Sequence, residues 1–157
     1  MTVILPIAAF VVFFPILWVA IVWLISRLGG WHGLAQEFAA RGPQAGPGAG
    51  ETCRWTSGKF SLLSSYNHCL NVTVSDRGMH MEPNSLFQFG HVPLFFPWHA
   101  VARIDLRRLV FSHVAILHIN TRNGIRSVTL YGNRVSAALA KYAPAQLTAK
   151  PAANDGR

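Results

Sequence analysis

"GHVPLFFPWHAV", Gly90 to Val101, is the stretch whose reading decides the fold. Its apolar run, Val92 to Trp98, holds two prolines, two adjacent phenylalanines and a tryptophan. The triplet Phe-Phe-Pro has already occurred at Phe13 to Pro15, inside a far longer apolar segment. A helix needs roughly 20 apolar residues to cross a bilayer, so the second run is too short to be another span. Pro93 and Pro97 each remove a backbone donor that a central strand would use. The run therefore predicts an edge strand or kinked crossover, with Phe95, Phe96 and Trp98 shared between core and surface. Adjacent residues in an extended strand face opposite ways, so Phe95 and Phe96 are not both buried unless something covers the outside of the sheet. One of them is a candidate contact with a helix, a bilayer or a second protein. Beyond this run "WHAVARIDL" alternates, with Ala102, Ile104 and Leu106 on one face and Val101, Arg103 and Asp105 on the other.

The longer apolar segment lies at the other end of the chain. No charged side chain stands between Thr2 and Ser26, and Val3 to Ile25 is apolar throughout if Pro6 and Pro15 are allowed. That is long enough for a transmembrane helix, which Pro15 should bend. Trp18, Trp23 and Trp31 lie toward its C-terminal side, where an aromatic belt belongs. A cleaved secretory signal would need a basic n-region, a shorter core and a small-residue cleavage site, none of which is present. Residues 1–28 therefore read as a retained anchor. Arg27 and Arg41 follow the span, whereas only the α-amino group precedes it. The positive-inside rule then puts the N terminus outside and the rest in the cytoplasm, at a bacterial inner membrane. Cys53 and Cys69 are expected as thiols there, and the sequon Asn71-Val72-Thr73 as chance.

Beyond the anchor, 13 Lys and Arg face 6 Asp and Glu, a net charge of +7. Such a surface favours an anionic leaflet. Nucleic acid is not expected as a partner, because the basic residues are scattered, with Arg107-Arg108 the only adjacent pair. Trp31, Leu34, Ala35 and Phe38 recur at helical spacing, so 29–41 reads as an amphipathic helix lying along the interface or packing on the domain behind it. "GPQAGPGAG", 42–50, reads as a flexible linker. Thereafter the period is two. Leu70, Val72 and Val74 alternate with polar residues, Asp76-Arg77-Gly78 turns the chain, and Asn123-Gly124 marks a second hairpin. Gly132-Asn133 ends the last strand and offers an N-cap to a helix bearing Val135, Leu139 and Tyr142. Pro144 stops that helix, and 144–157 is expected to be disordered. The whole predicts a mainly-β domain of about six or seven strands over 51–143, a bent sheet or barrel capped by a C-terminal helix.

"GMHMEP … LFQFGHVPLFFPWHAVARIDL" resembles a group of small, mostly uncharacterised bacterial membrane-anchored proteins whose domain is similar to the pleckstrin-homology-like barrel. In that class a hydrophobic-Pro-Trp-x-x-Ile/Val strand follows a Gly-hydrophobic-x-hydrophobic strand. Phe96-Pro97-Trp98-His99-Ala100-Val101 after Gly78-Met79-His80-Met81 has that form. The resemblance covers about 51–143, with "GGWHGLAQEF" belonging to the same pattern. Taken with the residues, it leads to the expectation of a non-catalytic binding or scaffolding module. Classical phosphoinositide-binding members carry a basic cluster in the first hairpin, where this chain has only Lys59.

Candidate contact residues for a protein partner or lipid surface are Phe95, Phe96, Trp98, His91, His99, Arg107 and Arg108. His91 and His99 flank the aromatic run, where the simpler expectation is that one caps a turn and the other faces solvent. No cofactor or metal is expected. Cys53, His68, Cys69 and His80 lack zinc-site spacing, while His113 and His118 fall on opposite faces of one strand. A small His/Cys enzyme, with His118 as a possible base for Cys69 or Cys53, is the alternative from another class. Its signature would be a deep pocket holding His and Cys together, whereas a binding module would show an exposed apolar or basic groove. A structural subunit of a membrane complex, in which the bent helix itself forms contacts, is the third; Pro15 and the small residues Ala8, Ala9 and Ala20 permit it without arguing for it.

Overall fold

The computed structural model describes residues 4–42, 46, 48–61 and 64–149. Much of the expected linker (43–45 and 47) and the expected tail from 150 to 157 lie outside the described residues. The first helix, α1, is Ile4–Leu28 with Pro15 inside it. Its stretch Ala9–Leu28 is long and apolar enough to span a membrane, with hydropathy 2.5. Most of its described side chains are exposed, but Val22 and Ser26 near its C-terminal end are buried. Gly30, in the left-handed region at φ 83°, links it to α2, Trp31–Phe38. Trp31, Leu34 and Ala35 of α2 are buried and Phe38 packs on the same core. The amphipathic helix thus packs on the domain.

Seven antiparallel strands follow: β1 Gly50–Ser61, β2 Ser64–Ser75, β3 Gly78–Pro83, β4 Leu94–Pro97, β5 Val101–Arg108, β6 His113–Thr121 and β7 Gly124–Tyr131. The helix α3, Asn133–Tyr142, and a two-residue strand β8, Thr148–Ala149, complete the chain's described part. The order across the sheet is β4-β3-β2-β1-β7-β6-β5-β8. Two meanders, β1 to β4 and β5 to β7, therefore meet where Ser57–Lys59 of β1 pairs with Tyr131–Thr129 of β7. Gly58 sits at that junction, where a Cβ would press on the terminal methyls of Leu70 and Leu130. The sheet is open rather than a closed barrel. Its β4 edge is covered by the end of α2, through the Ala39–Leu94 bridge and the Ala40 N–H donating to Pro93 O at 2.7 Å. Val72, Val74, Met81, Leu94, Ile104, Leu117 and Leu130 fill the core, and α3 closes it with Val135, Ala138 and Leu139.

Three local expectations are corrected. In β5 a register shift between Val101 and Arg103 turns Val101 inward and Ala102 outward, the reverse of the faces expected for these two residues. Asn133 does not cap α3. Its Oδ1 accepts the His113 backbone N–H at 2.9 Å and a bond from Nδ1 at 2.8 Å, holding the start of β6. Residues 144–149 are not a structureless tail. Leu147 packs on the core, its carbonyl accepts the Ile104 N–H at 2.7 Å, and β8 pairs in parallel with β5. An apolar side chain with somewhere to be buried and an open strand edge beside it together order that segment.

Candidate functional site

The prolines make the aromatic run an edge strand, as its composition requires, and the strand fixes its side chains. Phe96 is fully buried with its ring 5.1 Å from Phe38 of α2. Phe95, one residue away, is half-buried on the opposite side. Trp98 is buried, and its indole donates to Ser75 O at 3.0 Å. His99 is exposed. Of the seven candidate contacts, then, Phe96, Trp98 and His91 serve the interior, and only His99, Arg107 and Arg108 are exposed.

His91 lies where α1, α2 and the β3–β4 connection converge. It is ringed by Trp31 at 5.3 Å and Tyr66 at 5.5 Å, both with tilted or edge-on geometry. The Phe89 carbonyl, 3.1 Å from Nδ1, can only accept, so Nδ1 carries the proton and Nε2 takes the Tyr66 hydroxyl proton at 2.8 Å. Burial pushes the Tyr66 phenol up to about 12 and the His91 imidazole below its ordinary 6.5. Burial likewise lowers His80, against the pull of Glu82. Both histidines are therefore protonated more readily in the unfolded chain. Their contribution to stability is complete above pH 6.5 and is lost as the pH falls through their folded-state values. Thermal unfolding between pH 7.5 and 5 should show a midpoint that declines below pH 6.5. The decline should be shallower in His91→Gln.

Beside His91 a cavity of ≈ 240 Å³ is lined by Val22, Ile25, Tyr66, Cys69 and Phe87. It does bring a histidine and a cysteine to one place. Both nitrogens of His91 are already engaged, and burial raises the Cys69 thiol, as it does Cys53. Both cysteines are free thiols.

On the outer face of the sheet, His118 bridges two strands. Its Nε2 meets Asp105 Oδ2 at 3.0 Å and its Nδ1 the Ser127 hydroxyl at 3.2 Å. Carboxylate, imidazole and hydroxyl stand in the order used for acyl transfer. The row nevertheless follows from register alone, since His118 pairs directly with Ser127 and with Arg103, which also donates to Asp105 at 2.9 Å. Burial favours the neutral Asp105 carboxyl, but the His118 hydrogen bond and Arg103 outweigh it and hold its pKa below the usual carboxylate range. Asp105→Asn should cost no more than about 1 kcal/mol in a denaturant titration, as expected of a pair near the surface.

The same face carries an open groove of ≈ 560 Å³. Ile116, Thr129 and Tyr131 line it together with Lys59, Arg107 and Leu109. Among the described residues neither Lys59 nor Arg107 forms an ion pair. At one end stands the β5–β6 tip, where Val110 is 88% and Phe111 95% exposed. Leu109 bonds Ser112 across the tip at 2.7 Å, so the apolar pair is held out rather than folded under. Sequence reasoning stopped at Arg108. The signal it passed over is an apolar triplet, "LVF", filling a hairpin connection that has no Gly, Pro or Asn. Among the described residues no group of three His, Cys, Asp or Glu side chains is placed to hold a metal ion. No protein-family model matches this chain, and no curated protein matches it.

Proposed function

We propose that this chain is a non-catalytic binding module, held by one membrane span at the cytoplasmic face of a bacterial inner membrane with its N terminus outside. Its β domain is a variant of the pleckstrin-homology-like fold and takes an acidic, apolar segment of a protein partner. The observation that carries this reading is the continuity of the exposed Val110–Phe111 tip with the groove bearing Lys59 and Arg107. Apolar side chains held in water beside cations without partners match an apolar segment carrying carboxylates. Two meanders followed by a closing helix support the fold assignment. Arg27, in the last turn of α1 and over the Trp23 ring at 4.8 Å, supports the orientation.

A protein partner is favoured over the lipid surface by where the tip lies. β6 ends at Thr121, next to Arg122, whose N–H is bound by Glu37 of α2 at 3.0 Å. The Leu109–Ser112 tip is at the opposite end of that strand, roughly 25 Å away at about 3.3 Å per residue. It therefore points away from the helical end of the domain. Photocrosslinking from position 111 of the full chain in native membranes should yield an adduct of one defined mass. The same group at Trp55, exposed but outside the groove, should yield none. Adducts confined to lipid or to the chain itself would overturn the reading.

A further inference from the structure

We infer that the β3–β4 connection, residues 84–92, is a membrane-dipping loop that enters the acyl region of the bilayer alongside α1, so that the domain is partly sunk in the membrane. This rests on the reading of α1 as a span. The loop is pinned to the helix at three levels. The Trp18 indole donates to Leu86 O at 3.3 Å and its ring stands 5.5 Å from Phe87. Gly90 lies so close to Trp23 that a Cβ would sit 3.0 Å from the indole. The Ser26 hydroxyl donates to Gly90 O at 2.5 Å.

Those contacts set the loop's depth. With Trp23 at the interface and Arg27 among the headgroups, Trp18 lies five residues further in, about 7.5 Å at 1.5 Å per residue. A side chain that reaches α1 at Trp18 is then below the headgroups, at the depth interfacial elements occupy. The composition agrees: no Asp, Glu, Lys or Arg stands between Glu82 and Arg103. Leu86 is 66% and Phe89 51% exposed among the described residues.

A loop in hydrocarbon needs internal partners for its backbone, and six carbonyls of this loop have them, which is the second, independent observation. The Asn84 carbonyl accepts from Phe87 N and the Gln88 carbonyl from His91 N, both at 2.9 Å. Leu86 O takes Trp18, Phe89 O takes the His91 ring, Gly90 O takes Ser26 and Val92 O takes the Trp31 indole at 2.9 Å. Four of those six donors are side chains, a provision that a loop bathed in water does not need. The exposed apolar side chains and the capped carbonyls together fit the acyl chains of a bilayer.

The test is nitroxide accessibility in the full chain, reconstituted in phosphatidylcholine vesicles. Leu86→Cys and Phe89→Cys carry the label, Phe13→Cys reports the span and Phe111→Cys reports water. Cys53 and Cys69 are buried, and the unsubstituted chain serves as the labelling blank. Labels at 86 and 89 should shift toward the label at 13, reached by oxygen and shielded from a nickel chelate. If 86 and 89 behave like 111 while 13 is shielded, the loop lies in water and the inference falls with the span intact. If 13 is also open to the chelate, the spanning reading fails and takes the inference with it.

Discussion

Replacing Trp31 with alanine is expected to lower the stability of the domain by about 3–5 kcal/mol, the range for deleting a large buried aromatic. Trp31 is fully buried, its ring is 4.9 Å from Phe60 and 5.6 Å from Tyr66, and its indole holds Val92 O. The change would leave a cavity and an unsatisfied carbonyl where α2, the β1–β2 hairpin and the β3–β4 connection meet. Denaturant unfolding of the full chain in nanodiscs checks this. Trp31→Phe, which keeps most of the volume and loses the donor, should fall between the two. A loss below about 1 kcal/mol for Trp31→Ala would mean that the helix does not brace the sheet.

Reversing the groove's charge, with Lys59→Glu and Arg107→Glu together, is expected to cut partner crosslinking from position 111 by at least about tenfold, equivalent to about 1.4 kcal/mol. Both residues line the groove that reaches the tip, and among the described residues neither has a carboxylate to lose. Substitutions at such surface positions usually change stability by only about 0.5 kcal/mol. An unchanged unfolding midpoint with lost crosslinking therefore isolates binding from folding. Equal crosslinking in the variant would remove the electrostatic half of the proposed recognition.

Much of the architecture is legible in local pattern. Unbroken apolar character marks α1, the 3.6 period marks α2 and α3, and the signals Asp76-Arg77-Gly78 and Asn123-Gly124 mark two hairpins that do form, the second turning one residue earlier, at Arg122-Asn123. The two prolines of "VPLFFPW" foretell an edge strand, and β4 is one. What local pattern misses is decided by distant neighbours. Trp55 and His68 take left-handed φ of 59° and 51° around the irregular register of β1 and β2, conformations that neither residue type announces. The Val101 register shift, the binding of Asn133 to His113 and the pairing of β8 all depend on which strand lies alongside.

The candidate site divides the same way. Phe96 is buried because Phe38 covers it, as a helix packed on the sheet allows. His91 goes inside because Tyr66 and Trp31, 25 and 60 residues away in sequence, enclose it. Arg107 and Arg108 are exposed as expected, but the more exposed neighbours Val110 and Phe111 break the habit that hairpin tips are polar, and so escaped notice. The loop between β3 and β4 is the clearest case. Its meaning rests on contacts to Trp18 and Ser26, more than 60 residues upstream.

The most direct test of a membrane-held domain facing the cytoplasm is labelling of Phe111→Cys with a membrane-impermeant maleimide. Position 111 is almost fully exposed, so in membranes washed free of bound partner its access reports which side of the membrane the domain occupies. Labelling in inverted inner-membrane vesicles, and not in intact spheroplasts, is the expected result. Labelling in intact spheroplasts would put the domain outside and contradict the account.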